Sequence, residues 1–130
     1  MFSDPIADLL TRVRNALAAK HKTVEMPYSK LKENLSKILL DNKYIKAVEV
    51  IGKKTKKNLK ITLKYSASKP AMRNLIRISK PGRRIYINTA DLSKATKGRG
   101  IIILSTPKGL MTAKDAKNKT LGGEMLCKIN

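Results

Sequence analysis

A surplus of twenty positive charges must find room on the surface of whatever this chain folds into. Its 130 residues include 29 lysines and arginines against 9 aspartates and glutamates. Like charges crowded on a small globule repel until something neutralises them, so the excess constrains both the fold and its partner. A nucleic acid is the first partner to consider and an anionic membrane the second. The excess is not a tail: residues 1–65 carry 15 basic and 6 acidic side chains, and residues 66–130 carry 14 and 3. Hydrophobic residues make up 42% of the chain, enough for a core and too many for a disordered polycation. The length suits one domain or two small lobes.

No apolar run exceeds four residues, which leaves no membrane span. The opening MFSDPIADLL lacks the basic start and apolar centre of a signal peptide, so a cytoplasmic location is expected. Cys127 is the only cysteine and His21 the only histidine. No disulfide can form within the chain and no Cys/His metal cluster can be assembled, which fits a reducing compartment.

The first helix announces itself. Asp4 suits an N-cap, Pro5 the first helical position, and Ile6, Leu9, Leu10, Val13 and Leu17 follow at helical spacing. TVEMPY is a short alternating stretch that Pro27 confines to an edge or strand end. Ser29 caps a second helix with Leu31, Leu35, Ile38 and Leu39 as its apolar face. Two strands follow. In YIKAVEVI (44–51), Ile45, Ala47 and Glu49 share one side, with an imperfect period; in NLKITLKY (58–65), Leu59, Ile61, Leu63 and Tyr65 face one way. The basic loop GKKTKKN joins them. The first lobe, residues 1–65, therefore reads α-β-α-β-β.

SASKPA (66–71) reads as a linker. Residues 72–130 change texture to short strands and glycine turns. LIRIS (75–79) and RRIYIN (83–88) are strands joined at Lys80-Pro81-Gly82, where Pro and Gly suit a type II turn. ADLSKA is a helical turn, IIILS a buried strand, AKDAKNK a short helix and GGEMLCKI a closing strand. The expected class is α+β: two small lobes, the second mostly β with a short helix.

Catalysis finds little support. Ser105, where the apolar run ends in STPKG, would need a base; His21 is the sole candidate and no Gly-x-Ser-x-Gly elbow surrounds the serine. Asp91, Asp115 and Glu124 are the only carboxylates of the second half and fall in three different elements. There is no Walker sequence and no Gly-x-Gly-x-x-Gly. Cys127 alternates with Met125 and Ile129, a core pattern. Glu124, after Gly122-Gly123, is either an ion-pair partner of a nearby cation or an acceptor for base amino groups. The double glycine would let a nucleic-acid backbone come close. Tyr86 shares a strand face with Arg84; it either stacks on a base or ribose, or lies buried with a bonded hydroxyl. Only five aromatic residues are present, too few for a single-strand stacking platform. Folded RNA, held by phosphate contacts and a few shaped pockets, fits better. A DNA-coating protein explains the charge equally well, but not paired hydroxyls beside a lone glutamate.

Five blocks, DPIADLLTRVRNA (4–16), MPYSKLK (26–32), RISKPGRRIY (77–86), GRGIIILSTPKGLMT (98–112) and LGGEMLCKI (121–129), occur in this order. Together they resemble the bacterial small-subunit ribosomal protein eight family over essentially the whole chain. The resemblance implies a non-enzymatic constituent of the small ribosomal subunit in the cytoplasm. Such a protein binds an irregular helix in the central domain of 16S rRNA, helps that domain assemble and touches neighbouring small-subunit proteins. The same recognition, applied to a messenger RNA folded alike, would repress translation. It implies no cofactor, metal, membrane or small-molecule substrate. Carried over, the RNA contacts are Tyr86 with Arg83 and Arg84 beside it, the turn residues Ser105, Thr106, Lys108 and Gly109, and the segment Gly122, Gly123 and Glu124. The first lobe adds Arg14, Asn15, Ser29 and Lys30. Ser105 and Thr106 would then present hydroxyls that can meet a 2′-OH as donor or acceptor. Pro107 departs from the family turn, losing a hydroxyl and a backbone N–H. The block KKTKKNLK (53–60) is more basic than the resemblance leads one to expect, and would add less specific phosphate contacts.

Overall fold

A computed structural model describes residues 4–67 and 69–130. The chain divides into two compact units, the first ending at Arg73 and the second running Asn74–Asn130. The class is α+β.

The first unit runs α1 (Pro5–Ala18), β1 (Thr23–Pro27), α2 (Lys30–Asp41), β2 (Ile45–Lys53) and β3 (Lys56–Leu63). The order α-β-α-β-β follows the sequence pattern. Asp4 accepts a hydrogen bond from the Ala7 N–H, and Ser29 accepts one from the Lys32 N–H, so both helices begin on the expected caps. The strands form an antiparallel sheet, β1-β3-β2. Leu59, Ile61 and Leu63 of β3 are fully or nearly fully buried, with Met26, Ile45 and the α1 stripe Ile6, Leu9, Leu10, Val13 and Leu17.

Two details depart from the periodicity. The register shifts between Ile45 and Ala47, so a bulge at Lys46 changes the phase of β2. Val48 and Val50, not Ala47 and Glu49, then pair with the core residues Ile61 and Leu59. The buried side of α2 is Lys32, Leu35, Ser36 and Leu39 rather than the side holding Leu31 and Ile38. Polar groups turn inward there because each is bonded. The Lys32 ammonium donates to Asp8 Oδ2 at 2.6 Å and to the Pro27 carbonyl at 3.2 Å, and the Ser36 hydroxyl donates to the Lys32 carbonyl at 2.7 Å. Burial pushes the Asp8 carboxyl up, but hydrogen bonds from Lys32 and Arg12 outweigh it and hold it below the usual carboxylate range.

Residues 65–70 carry a small ribbon, β4 (Tyr65–Ser66) paired with β5 (Lys69–Pro70); Ser68 of the suggested linker lies outside the described residues.

The second unit comprises β6 (Leu75–Arg77), β7 (Tyr86–Ile87), a 3₁₀ turn (Thr89–Asp91), α3 (Leu92–Ala95), β8 (Ile101–Thr106), β9 (Gly109–Thr112), α4 (Ala113–Asn118) and β10 (Gly123–Ile129). All its strand pairs are antiparallel, with β10 between β8 and a shared edge. That edge holds β6 and β7 end to end. Leu75–Arg77 pairs with Cys127–Ile129, and Tyr86–Ile87 pairs with Gly123–Glu124. The expected hairpin of 75–79 with 83–88 is thus replaced by two strands on one neighbour, with the basic turn 80–83 looping out between them. Gly82 does not adopt a left-handed φ, so this turn is not type II. A further strand, β9, stands where the sequence pattern gives no element, and it makes STPKG the tip of a hairpin. Leu92, Leu104, Met111, Ala113 and Ala116 form a cluster that seats α3 and α4 on one sheet face.

Candidate nucleic-acid interface

The opposite sheet face carries the interface residues. Glu124 pairs with Tyr86 on one side and Ser105 on the other, and Ser105 pairs with Leu110. Side chains directly opposite in antiparallel strands point the same way. Tyr86, Glu124, Ser105 and Leu110 therefore form one rung across β7, β10, β8 and β9.

The rung is graded in exposure. Tyr86 is 70% exposed, which removes the buried alternative for its ring. Glu124 is held low: its carboxylate accepts from Arg84 Nη1 at 3.1 and 3.4 Å, and its side chain is 14% exposed against 50% for Arg84. The carboxylate thus aims a half-exposed guanidinium beside the tyrosine ring. Of the two roles open to Glu124, the ion pair is the one formed. Arg84 keeps further N–H donors for an incoming oxygen.

Ser79 shapes the loop that carries these arginines. Fully buried, its hydroxyl accepts from the Ile85 N–H at 2.9 Å and donates to the Ile85 carbonyl at 3.1 Å. Backbone bonds between Lys80 and Arg83, 2.9 Å each way, close the turn and present both residues to solvent.

Ser105 and Thr106 part company. Ser105 stays on the rung, half-buried. Thr106 is buried, and its hydroxyl donates to the Gly109 carbonyl at 2.8 Å and accepts from the Lys108 N–H at 3.2 Å. The two hydroxyls expected to face RNA together are set apart: strand alternation and the hairpin place Ser105 on the rung, while Thr106 locks the turn. Pro107 fits the second position of this turn and Gly109 the fourth. Gly109 has φ +111°, a conformation L side chains rarely adopt. Lys108 projects into solvent from the tip.

The double glycine answers to internal crowding. A Cβ at Gly122 would strike the Ile87 carbonyl, and one at Gly123 the Ser105 carbonyl. Both glycines let β10 sit close to β7 and β8, which is what aligns the rung. Cys127 is fully buried, and burial pushes its thiol up to about 12, so it offers no nucleophile.

In the first unit, Arg14 and Asn15 are exposed on α1. Ser29 spends its hydroxyl on the helix cap. Lys30 is exposed at the first position of α2, where its charge opposes the helix dipole, an arrangement an anionic partner would relieve. His21 follows α1, in a different unit from Ser105. Among the described residues, no group of three His, Cys, Asp or Glu could hold a metal, and no helix is long and apolar enough to cross a membrane.

The family model for ribosomal protein S8 matches residues 4–130. The chain belongs to the ribosomal protein S8 family. It is 46% identical to the small ribosomal subunit protein uS8 of Dictyoglomus thermophilum over 127 residues, 98% of this chain and 97% of that protein. It is 48% identical to uS8 of Flavobacterium johnsoniae over 131 residues and to uS8 of Caldanaerobacter subterraneus over 130, covering 99% of this chain each time and 99% and 98% of the relatives. Membership in the S8 family places the chain among structural ribosomal proteins rather than enzymes.

Three of the blocks behind that resemblance build the rung. RISKPGRRIY supplies the Ser79 clamp, Arg84 and Tyr86; GRGIIILSTPKGLMT supplies Ser105 and the locked turn; LGGEMLCKI supplies the close-packed glycines and Glu124. Two residues of the site, Ser79 and Leu110, carry no distinguishing signal in the sequence. Ser79, flanked by Ile78 and Lys80, has no pattern that separates it from a turn serine. Leu110 becomes visible only once β9 is known.

Proposed function

We propose that this chain is an rRNA-binding constituent of the small ribosomal subunit. Its second unit grips an irregular helix in the central domain of 16S rRNA, and binding helps that domain assemble. The observation that carries the reading is the Tyr86–Glu124–Ser105 rung. It sets a mostly exposed aromatic ring, an aimed guanidinium and a hydroxyl in one row. A ring stacks on an unpaired base, a hydroxyl meets a 2′-OH, and a guanidinium meets phosphate or a base edge; an internal loop in an RNA helix offers all three. Lys80, Arg83 and Lys108 on the flanking turns supply phosphate contacts, which position the RNA without reading it. Arg14, Asn15 and Lys30 of the first unit add contacts of the same kind, and neighbouring subunit proteins complete the surroundings.

Crosslinking the purified protein to total cellular RNA at moderate salt, then sequencing the bound fragments, tests this. One dominant site in the central domain of 16S rRNA is expected. A messenger RNA fragment recovered beside it would add translational repression to the role. RNA recovered without preference would defeat the selective half of the proposal.

A further inference from the structure

The first unit holds a second cationic feature, the tip of the β2–β3 hairpin, away from Arg14 and Asn15 in sequence. β2 and β3 end in a two-residue turn, Lys54-Thr55, between Lys53 and Lys56, which pair directly across the hairpin. Like charges opposite each other in a ladder are destabilising. Lys53, Lys54, Lys56 and Lys57 are all exposed, and none has an ion-pair partner among the described residues. The nearest pair on the same hairpin, Lys60 with Glu49 at 3.9 Å, lies further down the strands.

Lys54, Lys56 and Lys57 line an open cleft of about 680 Å³, together with Pro27, Tyr28, Thr55 and Asn58. The cleft is built. The Tyr28 N–H donates to the Lys57 carbonyl at 3.1 Å, extending the β1–β3 ladder beyond the Pro27–Asn58 pair. The Tyr28 hydroxyl donates to Glu33 Oε1 at 2.8 Å, which fixes the ring as one wall. The Lys57 ammonium stands 5.7 Å from the ring centroid. Gly52 has φ +101°, and a Cβ there would strike the Lys56 carbonyl, so the hairpin's shape is set by its backbone.

We infer that this cleft binds the phosphodiester backbone of RNA, independently of base sequence. Three lysines line a polar groove with one aromatic wall, and each ammonium can replace a counterion on a phosphate. Thr55 and Asn58 are the neutral polar side chains of the lining, and the three ammonium groups that dominate its charge position a phosphate without reading a base. The inference rests on the RNA-binding reading above, but concerns a separate site that contributes affinity and no selectivity.

The test uses the full chain and its Lys54→Gln, Lys56→Gln, Lys57→Gln variant. Each is titrated with a 16S central-domain transcript and with a random-sequence duplex of equal length, from about 50 to about 200 mM salt. Removing one ammonium that neutralises a phosphate lowers the slope of log affinity against log salt by about 0.7–0.9, so a fall of about 2–3 is expected on both RNAs. The preference for the transcript over the duplex should not change. A slope within about 0.5 of the wild type's would overturn the inference. If the wild type shows no preference for the transcript, the rung reading fails while the slope comparison still decides the cleft. Relief of the Lys53–Lys56 repulsion offsets loss of the Lys57–Tyr28 contact, so the melting temperature should stay within about 5 °C of the wild type's; a larger fall would show that these lysines hold the fold and would count against the cleft. Capture of the wild type, but not the variant, by phosphatidylserine vesicles in the presence of RNA would reassign the cleft to a lipid surface.

Discussion

Replacing Tyr86 by alanine should separate binding from stability. The residue is 70% exposed, so about a third of its surface is buried. At about 25 cal/mol per Å², and roughly 60 Å² removed from water, truncation costs at most about 1.5 kcal/mol of folding free energy. A domain with about 5–15 kcal/mol in hand stays folded after such a loss. Stacking one base on an aromatic ring is worth about 1–3 kcal/mol, so affinity for the 16S central-domain transcript should fall about 5- to 150-fold. The hydroxyl makes no hydrogen bond among the described residues, so Tyr86→Phe should bind within about twofold of wild type. Filter binding or fluorescence anisotropy at fixed salt reads both, with urea unfolding as the folding control. Wild-type affinity in Tyr86→Ala would refute the stacking role. Equal losses in the alanine and phenylalanine variants would show that the oxygen, not the ring, makes the contact.

The frame behind the rung is held by a few internal contacts. Thr106→Val removes the hydroxyl that bonds both Lys108 and Gly109 and should cost about 1–2 kcal/mol in urea unfolding. Gly123→Ala drives a Cβ into the Ser105 carbonyl and should cost about 1–3 kcal/mol, weakening transcript binding as β10 and β8 separate. Asp8→Ala leaves the buried Lys32 ammonium with the Pro27 carbonyl alone and should destabilise by about 1–3 kcal/mol; the Asp8 carboxyl, held low in the fold, contributes stability present above its unfolded value of 3.8 and lost as pH falls through the lower folded value. Cys127 has the opposite sign. Its thiol is raised from 9.0 to about 12, so its contribution is full below pH 9 and is lost as pH rises toward 12. That is about 1.4 kcal/mol per pH unit, read as the difference in alkaline urea unfolding between wild type and Cys127→Ala.

Local chemistry is legible in the sequence, and pairing is not. Asp4, Pro5 and Ser29 act within a turn of their own helices, and the alternation of Leu59, Ile61 and Leu63 depends only on the pleat. The phase of β2 is hidden because one bulged residue, Lys46, exchanges faces and leaves no mark in composition. α2 turns Lys32 and Ser36 inward because their partners, Asp8, the Pro27 carbonyl and the Lys32 carbonyl, are set by tertiary and helical geometry rather than by hydropathy. β9 is invisible because GLMT is four residues long and begins with a glycine. Its existence decides the fate of Thr106, whose hydroxyl turns from an exposed donor into the lock of a hairpin. Gly122 and Gly123 do signal close approach, but what comes close is the chain's own backbone at Ile87 and Ser105.

The most direct test of the rung as the selective RNA surface is amide chemical-shift mapping of the labelled protein as the 16S central-domain transcript is added. The largest changes are expected at residues 83–86, 105–109 and 122–124, with smaller ones at 54–58, and the first set, not the second, should be lost when a random duplex replaces the transcript. Unchanged amides at Tyr86, Ser105 and Glu124 in the presence of saturating transcript would contradict that role for the rung.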